Sequence, residues 1–225
     1  MAEKPDQNHT RTLILERARE LFLSQGYHKT AMRTIAEAAG ISTGPLYFHF
    51  RNKAEVFFHI CSDAFGYLIE DFRRAAGQEI HAGLRLRAIY YAYKNFYYKE
   101  PQLFEIMHLG ANPQSGVELP PSMEEILNRQ SHELLQVMEG TIRDGIARGE
   151  LRSVDPCRLA LYLFSVSEGI FLSNRMGMLQ RSEVSLDEMI ETAIDLIGMG
   201  MIEQHGECPA AGEDIRTIHE KFGHF

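Results

Sequence analysis

Tyr47, His49 and Lys53 set a phenol, an imidazole and an ammonium within about two helical turns of one another. Each can donate a hydrogen bond to a phosphate oxygen. Asn52-Lys53 reads as the start of a helix, whose positive end also favours an anion. Just upstream, Ser42, Thr43 and Gly44 are small and polar, so the backbone there can lie close to a nucleic-acid surface. Arg33 adds a guanidinium, the group that reads a guanine edge in bidentate fashion. Thr30, expected to cap the helix carrying Arg33, completes the set. The chemistry implied is recognition of a polyanion.

Those side chains need a particular frame. Residues 30–53, TAMRTIAEAAGISTGPLYFHFRNK, read as a short helix to about residue 39, a corner at Gly40, and a second short helix from Ser42 to about Phe50. Ile35, Ala36 and Ala39 should pack inward, with Ile41 plugging the angle. This is the spacing of a helix-turn-helix, whose second helix enters the major groove N-terminus first. Leu46, Phe48 and Phe50 are expected in the core, and the alternating Tyr47 and His49 outside. Before this segment, residues 11–25 place Leu13, Ile14, Ala18, Leu21 and Phe22 on one stripe, and Gly26 ends the helix.

The rest of the chain is helical by the same criteria. Asn52 with Glu55 opens a helix to about residue 76, followed by helices over 83–99 and from Pro101 to about 109. Residues 110–121 are rich in Gly and Pro and form a loop. Ser122 with Glu125 should start a helix over 122–148. Asp155-Pro156 starts one over 155–176, and Ser185 with Glu188 one over 185–204. A short helix is expected over 213–221. No alternating strand pattern is present. The fold class is all-α: an N-terminal three-helix domain with a helix-turn-helix, then a larger helical domain.

Residues 10–56 resemble the DNA-binding domain of the TetR family of transcriptional regulators. The resemblance rests on RARELFLSQGY, TAMRTIAEAAGIS and GPLYFHFRNKAEVF at the family's separations. It implies an all-α homodimer, usually a repressor released from double-stranded operator DNA by a small-molecule effector. By it, Arg33, Thr43 and Gly44 fall where base or groove contacts are made, and Tyr47, His49 and Lys53 where phosphates are held. It covers the N-terminal quarter closely and rests beyond that on helix number and order. The division expected is residues 1–55 for DNA, 56–205 for ligand and dimerisation, and a tail over 206–225.

Charge follows that division. Residues 1–55 carry 8 Lys+Arg against 6 Asp+Glu, a net +2, while residues 56–225 carry 15 against 25, a net −10. The overall −8 is therefore no bar to DNA binding by the first segment. In the acidic part, Leu86, Tyr90, Tyr93 and Tyr97 share one helix face, with Phe104 and Met107 close behind. Read as a pocket, this suits a hydrophobic or aromatic molecule, an acyl chain among them, with Tyr93, Tyr97, His108 or Arg175 as polar handles. The segments 155–176 and 185–204 are apolar over wide arcs. A palindrome-reading protein needs two-fold symmetry, so these are the expected homodimer helices.

Other functions find little support. Glu105 and His108 form an ExxH, the spacing of di-iron helices, but a second copy is missing, so neither metal nor catalytic residues are expected. HExxH, P-loop, GxGxxG and GxSxG motifs are absent, and no cofactor is expected. Cys61, Cys157 and Cys208 are far apart and read as reduced thiols. No apolar run is long enough for a membrane helix, and the N-terminus lacks a secretory pattern, so the expected location is cytoplasmic. A ligand-binding protein acting through protein contacts alone is the rival reading, and the intact Tyr47, His49 and Lys53 set argues against it.

Overall fold

The structure, a computed structural model, describes residues 7–201. It consists of α1 (Gln7–Gln25), α2 (Met32–Ala38), α3 (Thr43–His49), α4 (Lys53–Ala76), α5 (Ala82–Lys99), α6 (Pro101–Ala111), α7 (Pro121–Ala147), α8 (Pro156–Arg175), α9 (Met178–Arg181) and α10 (Leu186–Met201), with a 3-10 turn at Pro113–Ser115. Among the described residues there is no strand. Residues 202–204 of the last expected helix, and the whole tail with its expected helix at 213–221, lie outside the described residues.

Side-chain caps set the starts of α4, α8 and α10. Asn52 accepts from the Glu55 amide (2.9 Å), and the Glu55 carboxylate accepts from the Arg51 amide (2.6 Å). Asp155 accepts from the Arg158 amide (2.9 Å) ahead of Pro156. The Ser185 amide donates to Glu188 (2.7 Å), and the Glu188 amide donates back to the Ser185 hydroxyl (3.1 Å). These bonds satisfy helix-end N–H groups that would otherwise lack partners.

Four boundaries differ from expectation. α1 starts earlier, at Gln7. α7 starts at Pro121, since a proline at the first helical position sets the turn before Ser122, and the preceding Pro120 supplies no side-chain cap. Thr30 does not cap α2: Ala31 holds that position, while the buried Thr30 hydroxyl donates to the Gly26 carbonyl (3.0 Å) at the end of α1. The one-turn α9 follows Gly177, whose φ of +68° ends α8.

α1, α2 and α3 close a small head around Ile14, Phe22, Ile35, Leu46 and Phe50. α4 leaves the head and runs into the body. Near its start Phe57 meets Phe22 and Tyr27 (centroids 5.7 and 5.4 Å apart), and near its end Phe72 meets Tyr93 of α5. In the body α4 packs against α5, α6 and α7, α7 against α8, and α10 covers α8 and α5. Among the described residues no helix is long and apolar enough to cross a membrane.

The turn at Tyr27-His28 joins head to body from two sides. The Lys53 ammonium at the start of α4 donates to the Tyr27 and His28 carbonyls (2.6 and 3.3 Å) and lies 4.3 Å from the Tyr27 ring centroid. From the loop between α6 and α7, Gly116 packs so closely that a Cβ there would overlap the His28 imidazole. Its φ of +67° is also a conformation that glycine adopts without strain.

Candidate nucleic-acid interface and inner aromatic cluster

α3 is held by Leu46 and Phe50, both buried, which lie four residues apart on one face. The other side of the helix is therefore outside. Tyr47 is 54% exposed and Phe48 72% exposed. Placing Phe48 in the core is thus corrected. The expected alternation belongs to a strand, whereas two helical steps turn a side chain roughly 200° away from Leu46. His49 is half-buried, its ring between those of Phe48 and Phe50 (centroids 5.3 and 6.2 Å away). Ser42, Thr43 and Gly44 are all exposed at the start of the helix, and the Ser42 side chain makes no capping bond.

The remaining candidates of the head are more committed. The Arg33 side chain is 82% exposed on α2 and pairs with Glu37 one turn on (2.8 Å). That hydrogen bond and the Glu37 charge raise the guanidinium's already high pKa. Lys53 is half-buried, and burial lowers its pKa below the ordinary lysine value. With two bonds turned inward, one of its three donors is left for a phosphate. Thr30 is enclosed, so its hydroxyl has no path to a ligand outside. The residue missed at this surface is Phe48, which the helical period would have placed correctly.

In the body, α5, α6 and α8 bring the expected aromatic residues together. Tyr93 stacks with Phe164 (5.8 Å, 14° between planes) and Tyr97 with Phe171 (4.6 Å, 17°). Phe104 stacks on the His108 ring (4.2 Å, 29°). Tyr90 is buried on the same face of α5, and Met107 is half-buried beside the cluster. The Tyr97 hydroxyl accepts from Asn174 (2.8 Å).

One carboxylate sits among these rings. Glu168 lies 2.6 Å from His108 Nε2 and accepts from the Tyr93 hydroxyl, while His108 Nδ1 faces the Phe104 carbonyl (2.7 Å). Burial works against the imidazolium, but the Glu168 hydrogen bond and charge outweigh it, and the His108 pKa is raised. Burial, then the Glu168 charge, pushes the Tyr93 hydroxyl well above its ordinary value. Arg175 is exposed at the end of α8; its charge acts on His108 in the opposite sense to Glu168. Glu105 is exposed while His108 turns to Glu168, so the ExxH does not converge. Among the described residues no three potential ligands gather as a metal site requires. Glu168 was the missed residue here; its signal was a lone acid within the apolar run 159–172.

α8 and α10 also carry an outer apolar face. Leu161, Tyr162 and Leu172 are exposed on α8 and Met176 just after it, with Met189 and Leu196 on α10.

Comparisons with known proteins follow this geometry. Residues 14–60 match the family described as bacterial regulatory proteins, tetR family. The chain is 26% identical over 147 residues to the fatty acid metabolism regulator protein of Bacillus subtilis, covering 65% of this chain and 73% of that one. It is 24% identical over 207 residues to the HTH-type transcriptional regulator TtgR of Pseudomonas putida, covering 86% and 94% of the two chains. Its fold matches, with a TM-score of 0.68 and 18% identity, the transcriptional regulator FadR from Bacillus subtilis in complex with stearoyl-CoA, over 83% of this chain and 96% of that one.

Proposed function

We propose, since this chain belongs to the TetR family of transcriptional regulators, that it is a homodimeric repressor released from a palindromic operator by a small apolar effector. The observation that carries the DNA-binding part is the outward face of α3. Leu46 and Phe50 anchor it, leaving Thr43, Gly44, Tyr47 and Phe48 outside on the net-positive segment. In this reading Tyr47, His49 and the spare Lys53 donor hold phosphates, and Arg33 reads a base once it leaves Glu37. Phe48 takes an apolar contact such as a thymine methyl. Residues 1–55 serve DNA and residues 56–205 serve effector and dimer.

The exposed apolar side chains on α8 and α10 support the dimer, because burying them against a second copy removes that surface from water. The two-fold axis then presents two copies of α3 about 34–36 Å apart, one turn of the duplex, or somewhat wider. The aromatic cluster between α5, α6 and α8 supports an apolar effector, as does likeness to a regulator in complex with stearoyl-CoA. Such a protein acts on cytoplasmic DNA and needs no catalysis.

Titration of fluorescent genomic fragments at several salt concentrations tests the claim. A preferred fragment should emerge, with log affinity falling linearly against log salt as counterions are released. Equal binding to all fragments, or no salt dependence, would sink the operator reading.

A further inference from the structure

We propose that the end of the body away from the head carries a separate small-molecule site, a surface groove between α4, α5 and α7 that binds the carboxylate of a small organic acid through Arg85 and Arg73. The groove shares no residue with the inner cluster, and the proposal stands whether or not that cluster takes an effector.

The groove has a volume of about 340 Å³, and its lining comes from the last turn of α4, the first half of α5 and the stretch 136–141 of α7. Arg85 is its unusual member. A guanidinium keeps its charge at any ordinary pH, yet this residue is only 6% exposed. Its Nη2 donates to Asp144 (2.5 Å), while its Nε, shut off from solvent, has no hydrogen-bond partner among the described residues. Buried donors nearly always find an acceptor, and an oxyanion entering the groove supplies one. Arg73 reaches the same groove from α4, held only by an exposed pair with Glu133 that costs little to exchange. Around these two residues the guanidiniums of Arg73, Arg85 and Arg148 face the carboxylates of Glu133 and Asp144, which leaves one positive charge uncompensated. The nearby Arg74 and Asp71 pair with each other. A single excess charge and the flat guanidinium edge suit a singly charged, planar carboxylate better than a doubly charged phosphate. Ala76 and Val137 offer apolar wall for the rest of the molecule. Gly140 keeps the space open: it is exposed within α7, where glycine weakens a helix, and a Cβ there would touch nothing. Packing therefore does not require glycine at this position, whereas an open groove does.

Isothermal titration of the full-length protein with benzoate, benzyl alcohol and inorganic phosphate tests this. Benzoate should bind about tenfold or more tightly than either of the others. Arg85→Lys keeps the charge but loses the Nε donor, and should weaken benzoate about tenfold. A change at a buried arginine can also loosen the fold, so Gly140 provides the independent check. Gly140→Glu should leave the melting temperature at or above that of wild type, because glutamate favours a helix over glycine. It should nonetheless remove measurable benzoate binding by setting a carboxylate in the groove. Gly140→Ala should keep benzoate affinity within about twofold, since a methyl group leaves the groove open. Benzyl alcohol or phosphate binding as tightly as benzoate would overturn the proposal, as would no benzoate binding up to about 10 mM. Benzoate binding that survives Gly140→Glu would place the acid elsewhere in the molecule and overturn it equally.

Discussion

The tip of the head and the centre of the body use the same residue types in opposite ways. Tyr47, Phe48 and His49 line the outward side of a seven-residue helix, α3, with two buried anchors beneath it. Tyr93, Phe104 and His108 lie where three helices converge, and their rings and polar atoms already satisfy one another. A short helix on a small core can bury one stripe; a helix amid several neighbours buries most of its surface. The head is thus ready for a ligand that comes from outside. An effector bound at the inner cluster, as proposed, would have to replace internal contacts, and its binding could then move the helices that supply them. A ligand shifts such an equilibrium only by its differential affinity for the two arrangements.

The comparison breaks most easily at its largest contrast. Phe104→Ala in the filled cluster should cost about 3–5 kcal/mol of stability, measured by urea unfolding. A loss below about 1 kcal/mol would mean that the cluster is loosely packed, against the geometry described. Phe48→Asp should leave urea stability within about 0.5 kcal/mol of wild type, because the ring is exposed. The same change should weaken operator binding about a hundredfold by setting a carboxylate against the polyanion. Retained affinity would remove the outer face of α3 from the DNA interface.

Smaller effects sharpen the contrast. Arg33→Ala should cost about ten- to a hundredfold at operator variants that keep its base pair, and little where that pair is already changed. Uniform loss across all variants would make Arg33 a phosphate contact. The smallest effect is a pH slope in the body. The raised His108 pKa means that its contact with Glu168 contributes fully below about pH 6.5, its ordinary value, and is lost as pH climbs through the raised one. Wild-type melting temperature should therefore fall by about one or two degrees across that window relative to His108→Gln. Parallel profiles for the two proteins would show that the pair does not titrate as described.

Much of the architecture was legible because its signals are local. Asn52 with Glu55, Asp155-Pro156 and Ser185 with Glu188 each carry their hydrogen-bond partners within one turn, and all three caps form as read. Thr30 misled because its hydroxyl had a second acceptor, the end of α1, which only the folded chain brings near. Phe48 misled because alternation was read across a segment whose period is helical. At the inner cluster the face of α5 was visible in its spacing, and Tyr93, Tyr97, Phe104 and His108 do converge. Glu168 was not, since it comes from α8, some sixty residues after His108, and a lone acid in an apolar run does not say what it will meet.

Gly116 limits how this chain can drift. Its left-handed backbone and the imidazole of His28, lying where a Cβ would stand, make glycine the residue that fits. An inherited change there alters neither the outward face of α3 nor the rings around Glu168. It instead wedges apart the surfaces through which one half of the protein leans on the other. On the function proposed above, such a change would leave the surface for DNA and the inner cluster intact and fall on the seam between them.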